Sequence, residues 1–386
     1  MTSNDLKSLL EEASDTIQVP SLAHTAWSRA RRTRQRRYGI SVAAVAALTI
    51  SAAFFPTASQ NTPLPEPIAT SLTPQVHRIP AGLPTRLIAP LPPRSADLIP
   101  GDVQPLSAYP IEAAMAVFQP TVPEPGAEPE PIYAVAPDGI WVELDVADLT
   151  FTHDEGGNRA APLRPLSLSP DRRRIAIPQP QAVVVVDLPT ATAHRIGVPG
   201  LNEQVAWQDD TTVLVGAGGP GAYAVGWAAR KVTRLPAAVS LWDSDGSLLE
   251  LPATGRTLRQ WGPAQPSPVS ETPVDDTGLP GYTITEWYGS PITNGDHVVR
   301  SSWGSTPTHG HEAVTVVNAR TGVAERVLDL GPDRWKGCCA PLAFIDRDTV
   351  LIQAEREGLI AWNFRTGSTA VVTAGQISGI LSVRLR

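Results

Sequence analysis

Short apolar runs, alternating or continuous and cut by turn residues, recur along the last two thirds of the chain. From Pro165, PLSLSPDRRRIAIPQPQAVVVVDLPTATAHRI reads as strand, Pro-Asp turn, strand, loop, strand, turn, strand. The following QVAWQDDTTVLVGAGGPGAYAVGWAARKVTRL repeats that order, with Asp209-Asp210 at the expected turn. SLWDSDGSLLEL, EAVTVVNARTGVAERVLDL and PLAFIDRDTVLIQAEREGLIAWNFRTGSTAVV continue it. Asp171, Asp209 and Asp245 stand 38 and 36 residues apart, and Asn318-Ala-Arg-Thr321-Gly322 returns 45 residues later as Asn363-Phe-Arg-Thr366-Gly367. A period near 40 residues filled by short strands predicts a β-propeller, all-β, with six or seven blades over 105–386. One blade has two apolar faces, and only radial stacking covers both. The terminal GQISGILSVRLR leaves one strand over, expected to pair with early strands and close the ring.

The pattern changes completely upstream. Gly39 to Phe55 is a run of 17 uncharged, mostly apolar residues, the short end of what spans a bilayer as a helix. Arg29, Arg31, Arg32, Arg34, Arg36 and Arg37 precede it, and no Lys or Arg follows until Arg78. That asymmetry predicts one transmembrane helix over 38–55, with 1–37 in the cytoplasm and the rest outside. A cleaved signal peptide shares the charge order, but it is typically about 15–30 residues in all. Here 38 residues precede the run, which favours an uncleaved anchor.

Composition then divides the chain. Eighteen of the 39 prolines lie between Pro56 and Pro131, and 56–104 is expected to be a Pro-rich linker of extended chain. The overall charge of −7 conceals a +3 segment over 1–37, seven basic residues against four acidic, and a −10 remainder. The basic strip suits an anionic lipid surface, and the acidic exterior excludes a nucleic-acid partner. Within 1–37, Leu6, Leu9, Leu10, Ala13 and Ile17 form a helical apolar stripe too small for a core of its own, a candidate partner-binding face.

Two resemblances follow from these residues. Ser169-Pro170-Asp171 resembles the turn of the WD40-like repeats in periplasmic TolB-type propellers, and the likeness spans roughly 105–386. Trp207-Gln-Asp209, Trp242-Asp-Ser-Asp245 and Phe344-Ile-Asp346 are variants of that turn, and Arg172 stands where the family carries Gly. LKSLLEEA at 6–13, with the arginine cluster, resembles the N-termini of actinobacterial membrane proteins associated with extracytoplasmic-function sigma factors. An Arg- and Ala-rich composition with three Lys among 31 basic residues is similar to that of high-GC actinobacteria. The zinc anti-sigma motif is absent, since His24 stands alone there. The expected function is therefore a membrane-anchored extracytoplasmic propeller that binds a protein or cell-envelope ligand without catalysis. The alternative is a transmembrane sensor whose N-terminal helix binds a cytoplasmic partner, a sigma factor being the one the resemblance implies.

Candidate chemistry is sparse. Gly216-Ala-Gly218-Gly219-Pro220-Gly221 fits GxGxxG, but Pro220 and a following strand pattern exclude the phosphate-facing helix that such a loop needs. His309-Gly-His311-Glu312 reads as an exposed loop rather than a metal site, and Asp275-Asp276 and Asp154-Glu155 as solvated loop charges. No catalytic motif, metal or cofactor is expected. Cys338-Cys339 is the most unusual feature. In an oxidising compartment it forms a vicinal disulfide, closing a strained eight-membered ring of comparatively reducible character, or else two buried thiols beside Trp335.

Overall fold

Strands that are buried on both sides dominate the chain because each faces a neighbouring blade rather than water. Ala182–Asp187 and Ala324–Asp329 are buried at every position. A computed structural model describes residues 72–385 except 100, 102, 122–127, 154–156, 217–221, 236–240, 245–246, 252–255, 263–266, 306–309 and 333, with backbone alone at 241–248. The apolar stripe Leu6, Leu9, Leu10 and Ile17, the arginine cluster 29–37, the apolar run and the first part of the expected linker lie outside the described residues. Among those described, no helix is long and apolar enough to cross a membrane.

Six sheets of three to five strands form the blades. Blade 1 holds Gly379–Val383, Ala116–Pro120, Tyr133–Val135 and Trp141–Glu143; blade 2 runs from Arg174–Gln179 to Thr192–Gly197. Blade 3 spans Gln204–Trp207 to Lys231–Leu235, and blade 4 Leu241–Ser244 to Ser270–Pro273. Blade 5 spans Thr283–Thr293 to Ala324–Asp329, and blade 6 Ala340–Asp346 to Thr369–Ala374. In blade 2 the segment before Arg174 supplies the innermost edge, for Ser169 N–H donates to the Arg174 carbonyl and Ala176 N–H to that of Ser167. The last strand, Gly379–Val383, pairs antiparallel with Ala116–Pro120 from Gly379↔Pro120 to Val383↔Ala116, so the chain's end closes the ring against its beginning. Apolar clusters lie between adjoining blades: Leu342, Leu359 and Leu381 join blades 6 and 1, and Val299, Val314 and Ile352 join blades 5 and 6.

The repeated turns are built by side chains. Asp171 Oδ1 accepts from Ser169 Oγ and the Arg173 amide, while Asp209 Oδ1 accepts from the amides of Thr211 and Thr212. Asp346 Oδ1 accepts from the Asp348 amide in blade 6. Arg172, at the position expected of Gly, takes the left-handed φ of 64° that Gly adopts without strain. Asp245 lies outside the described residues. Gly216 ends one strand of blade 3 and Ala222 begins the next, which places the glycine run between two strands of one sheet.

Part of the expected linker is built into the propeller. Gln75–Arg78 adds a parallel strand outside Ala324–Asp329 of blade 5, and Gln104–Pro105 adds one outside Trp141–Glu143 of blade 1. Between them Thr85 and Arg94 bridge to Val371 and Ala374 of blade 6, and Leu91 and Leu98 are buried in its cluster with blade 1. Outer strands carry unpaired backbone groups, and a Pro-rich chain can satisfy them at an edge without donating at every residue.

Candidate functional site

One end of the ring carries the connections from the outer strand of each blade to the inner strand of the next. Between blades 5 and 6 that connection runs from Leu330 to Cys339. It brings Cys338 and Cys339 beside the start of strand Gly310–Asn318, where Glu312 is fully buried. The two sulfurs are paired as a vicinal disulfide. Cys339 is buried among Ile292, Val299, Val314 and Ile352, whereas Cys338 is half-buried. Trp335, expected to cover them, is 60% exposed and leaves that task to the blade strands.

Glu312 Oε2 accepts hydrogen bonds from the Tyr288 hydroxyl and from the Gly337 amide at 3.2 Å. Tyr288 sits at a bulge in Thr283–Thr293, where the pairing with His297–Ser305 slips between Tyr288 and Ile292. Arg300, buried in the adjacent strand, donates from Nε to the carbonyls of Tyr288 at 3.1 Å and Gly289 at 3.0 Å, and so braces that bulge. It also donates to the Leu251 carbonyl of blade 4, and burial lowers its guanidinium to about 10. The bulge therefore aims the phenol at the carboxylate. Ser301 Oγ donates to the Cys339 carbonyl at 2.8 Å and ties the loop to the same strand.

Burial pushes the Glu312 carboxyl up to about 7, against the downward pull of Tyr288, the amides of Gly337 and Cys339, and Arg334. Burial and the bond to Glu312 both raise the Tyr288 phenol, so it remains a donor. Between the ordinary glutamate value of 4.5 and about 7, the folded protein keeps a proton on Glu312 that the unfolded chain has lost. This contribution to stability is fully present below pH 4.5 and is lost as pH rises through 7. The loss amounts to about 3 kcal/mol. Urea melts of wild type and Glu312→Gln from pH 4 to 8 check it: wild type should lose that much more than the variant, and parallel curves would exclude Glu312 as the titrating group.

The expected exposed loop at 309–312 is corrected at two positions. His311 and Glu312 begin a strand and are buried, and His311 Nδ1 lies 2.8 Å from Asp329 Oδ1. His309 lies outside the described residues. Asp276 is likewise no solvated loop charge: it is buried, and its carboxylate accepts from Arg256 Nη1 and the Ile284 amide, each at 3.0 Å. Asp154-Glu155 lies outside the described residues. Glu312, Cys338 and Cys339 place one oxygen and two sulfurs within 4.8 Å of one another. While the sulfurs are bonded to each other they offer no thiolate to a metal.

Two cavities lined by described residues bear on ligand binding. An open groove of about 520 Å³, between blades 4 and 5, is lined by Arg256, Asp276, Tyr282, Thr283 and Ser305. The other, of about 30 Å³, lies where Ser290 and Pro291 of the blade 5 bulge meet Arg164, Leu166 and Gln204. It has room for a water or two and none for a metabolite. Sequence reasoning missed Tyr288, Arg300 and the role of Glu312. The one signal was Arg300 itself, a lone charge in the otherwise uncharged run VVRSSWG.

No protein-family model matches the chain, and no curated protein matches it. Among solved structures it is similar to Kuenenia stuttgartiensis hydrazine synthase, at 12% identity over 61% of this chain and 70% of that one, with a TM-score of 0.43. It is also similar to the N-terminal domain of Nup159, at 10% identity over 54% of this chain and 62% of that one, with a TM-score of 0.34. At these identities and scores neither likeness assigns an activity or a partner to this chain.

Proposed function

We propose that this protein is a single-pass membrane protein that presents its propeller outside the cytoplasm to bind a protein or cell-envelope ligand. The observation that carries this reading is the 17-residue uncharged run behind six arginines, upstream of a ring that closes on itself. A propeller sealed by its own last strand needs no second chain to complete its core, so it suits the end of a tether. The open groove of about 520 Å³ beside Tyr282, with Arg256 and Asp276 in its wall, is the surface this reading offers to a ligand. The paired cysteines agree with an oxidising compartment.

The test is membrane fractionation followed by protease treatment of intact cells, with a tag at each end of the full-length protein. The protein is expected to resist carbonate extraction, to lose its C-terminal tag to external protease and to keep its N-terminal tag. A protein released by carbonate, or one with its C-terminal tag protected, would overturn the reading.

A further inference from the structure

The two sulfurs of the Cys338–Cys339 pair are not equivalent. Cys338 is half-buried at the margin of the apolar cluster of blades 5 and 6 in which Cys339 is enclosed, so an attacking group meets Cys338 first. Any thiolate that opens the bond at Cys338 drives the electron pair onto Cys339. A bare thiolate there is buried among apolar groups, which is costly unless a proton arrives with the electrons.

A proton source stands beside it. A carboxylate oxygen of Glu312 and both sulfurs lie within 4.8 Å of one another. Oε2 is occupied by Tyr288 and Gly337, whereas Oε1 is buried and has no hydrogen-bond partner among the described residues. Burial disfavours the charged carboxylate and so favours a proton on it. From this geometry we infer that Cys338–Cys339 is a redox centre that accepts two electrons from an external dithiol, with Glu312 as the proton donor to the departing Cys339 sulfur.

The step balances in atoms and charge. One thiolate of the dithiol attacks Cys338 Sγ, the S–S bond breaks, and the electron pair passes to Cys339 Sγ, which takes the proton of Glu312. The second thiol of the reactant then attacks its own mixed-disulfide sulfur and expels Cys338, and its proton passes to Cys338. The dithiol leaves as a disulfide, both cysteines become thiols, and Glu312 is left as carboxylate to regain a proton from water. The ionisable groups around Glu312 are Tyr288 and Tyr282 from the inner strand of blade 5 and its approach, and Arg334 from the loop, itself paired with Glu357. His311, paired with Asp329, precedes Glu312 on its strand and points to the opposite face of the sheet, and Lys336 of the loop is paired with Glu286. The carboxyl stays protonated to about pH 7, so the centre is ready for this step under mildly acidic conditions.

The experiment reduces full-length protein with dithiothreitol from pH 5.5 to 8.5 and follows the 338–339 peptide by maleimide alkylation and mass spectrometry. The rate per dithiothreitol thiolate should be constant up to about pH 6 and fall roughly tenfold per pH unit above pH 7. Glu312→Gln should react about 100-fold more slowly at pH 6 and lose that dependence. A flat wild-type profile overturns the proposal, as does a variant that keeps the wild-type profile or complete alkylation of both cysteines before any reductant is added. The wild-type profile decides the matter even if Glu312→Gln fails to fold.

Discussion

A chain ending at Gly375 is expected to lose cooperative thermal unfolding altogether. The missing strand, Gly379–Val383, is the innermost strand of blade 1 and supplies the whole antiparallel pairing to Ala116–Pro120. Its Leu381 and Val383 are buried with Leu342, Leu351 and Leu359 of blade 6. Each such side chain contributes roughly 1.5–3 kcal/mol by burial. Ser382 Oγ accepts from the Leu168 amide and donates to the Pro165 carbonyl, each at 2.9 Å, so the same strand also holds the inner edge of blade 2. Without it the ring opens between blades 6 and 1, and Ala116–Pro120 becomes an uncovered edge. The combined loss approaches the whole stability of a domain, about 5–15 kcal/mol. Circular dichroism melts and size-exclusion chromatography of the truncated protein check this. A monomer with the wild-type midpoint would show that the ring closes without the strand.

The second large effect separates two turns that look alike. Asn318 and Asn363 each accept, through Oδ1, the amide three residues on, and each carbonyl accepts from a glycine amide, Gly322 at 2.9 Å and Gly367 at 2.8 Å. Both glycines are left-handed, with φ of 72° and 79°. Alanine at either site costs about 1–2 kcal/mol for that conformation alone. A Cβ on Gly322 would stand 2.1 Å from the Pro273 carbonyl oxygen, backbone of blade 4 that cannot move aside. On Gly367 the nearest atoms it would meet are those of the His77 ring, at 3.0 Å, a side chain rather than backbone. Gly322→Ala is therefore expected to cost about 4 kcal/mol, and Gly367→Ala about 1–2. Urea denaturation of both variants measures the difference, and equal losses would mean that Pro273 yields.

The turns were the most legible part of this sequence. Asp171 and Asp209 lie in turns, and Asp346 ends the strand that enters one, because a carboxylate can accept its own neighbours' amides wherever the chain reverses. Such bonds are local, so they leave a pattern at a fixed period. The strap 72–105 was not legible. It attaches through backbone pairing, as in Gln75↔Arg326 to Arg78↔Asp329, and backbone pairing leaves little trace in residue type. Its proline content pointed to a free linker.

The site divides in the same way. Cys338-Cys339 stood out because adjacent cysteines are chemically distinctive in any fold. Glu312 did not, because its carboxyl is raised by burial between strands and a loop that meet only in the folded ring, against the downward pull of Tyr288. By itself the sequence determined strand content, the blade period, the turn chemistry and the strand left over at the end, for each depends on neighbours along the chain. Only the tertiary structure decided which glycine is crowded, which acid keeps its proton and which cysteine is the more deeply buried. Burial and electrostatic environment belong to the space between blades, and no stretch of sequence contains that space.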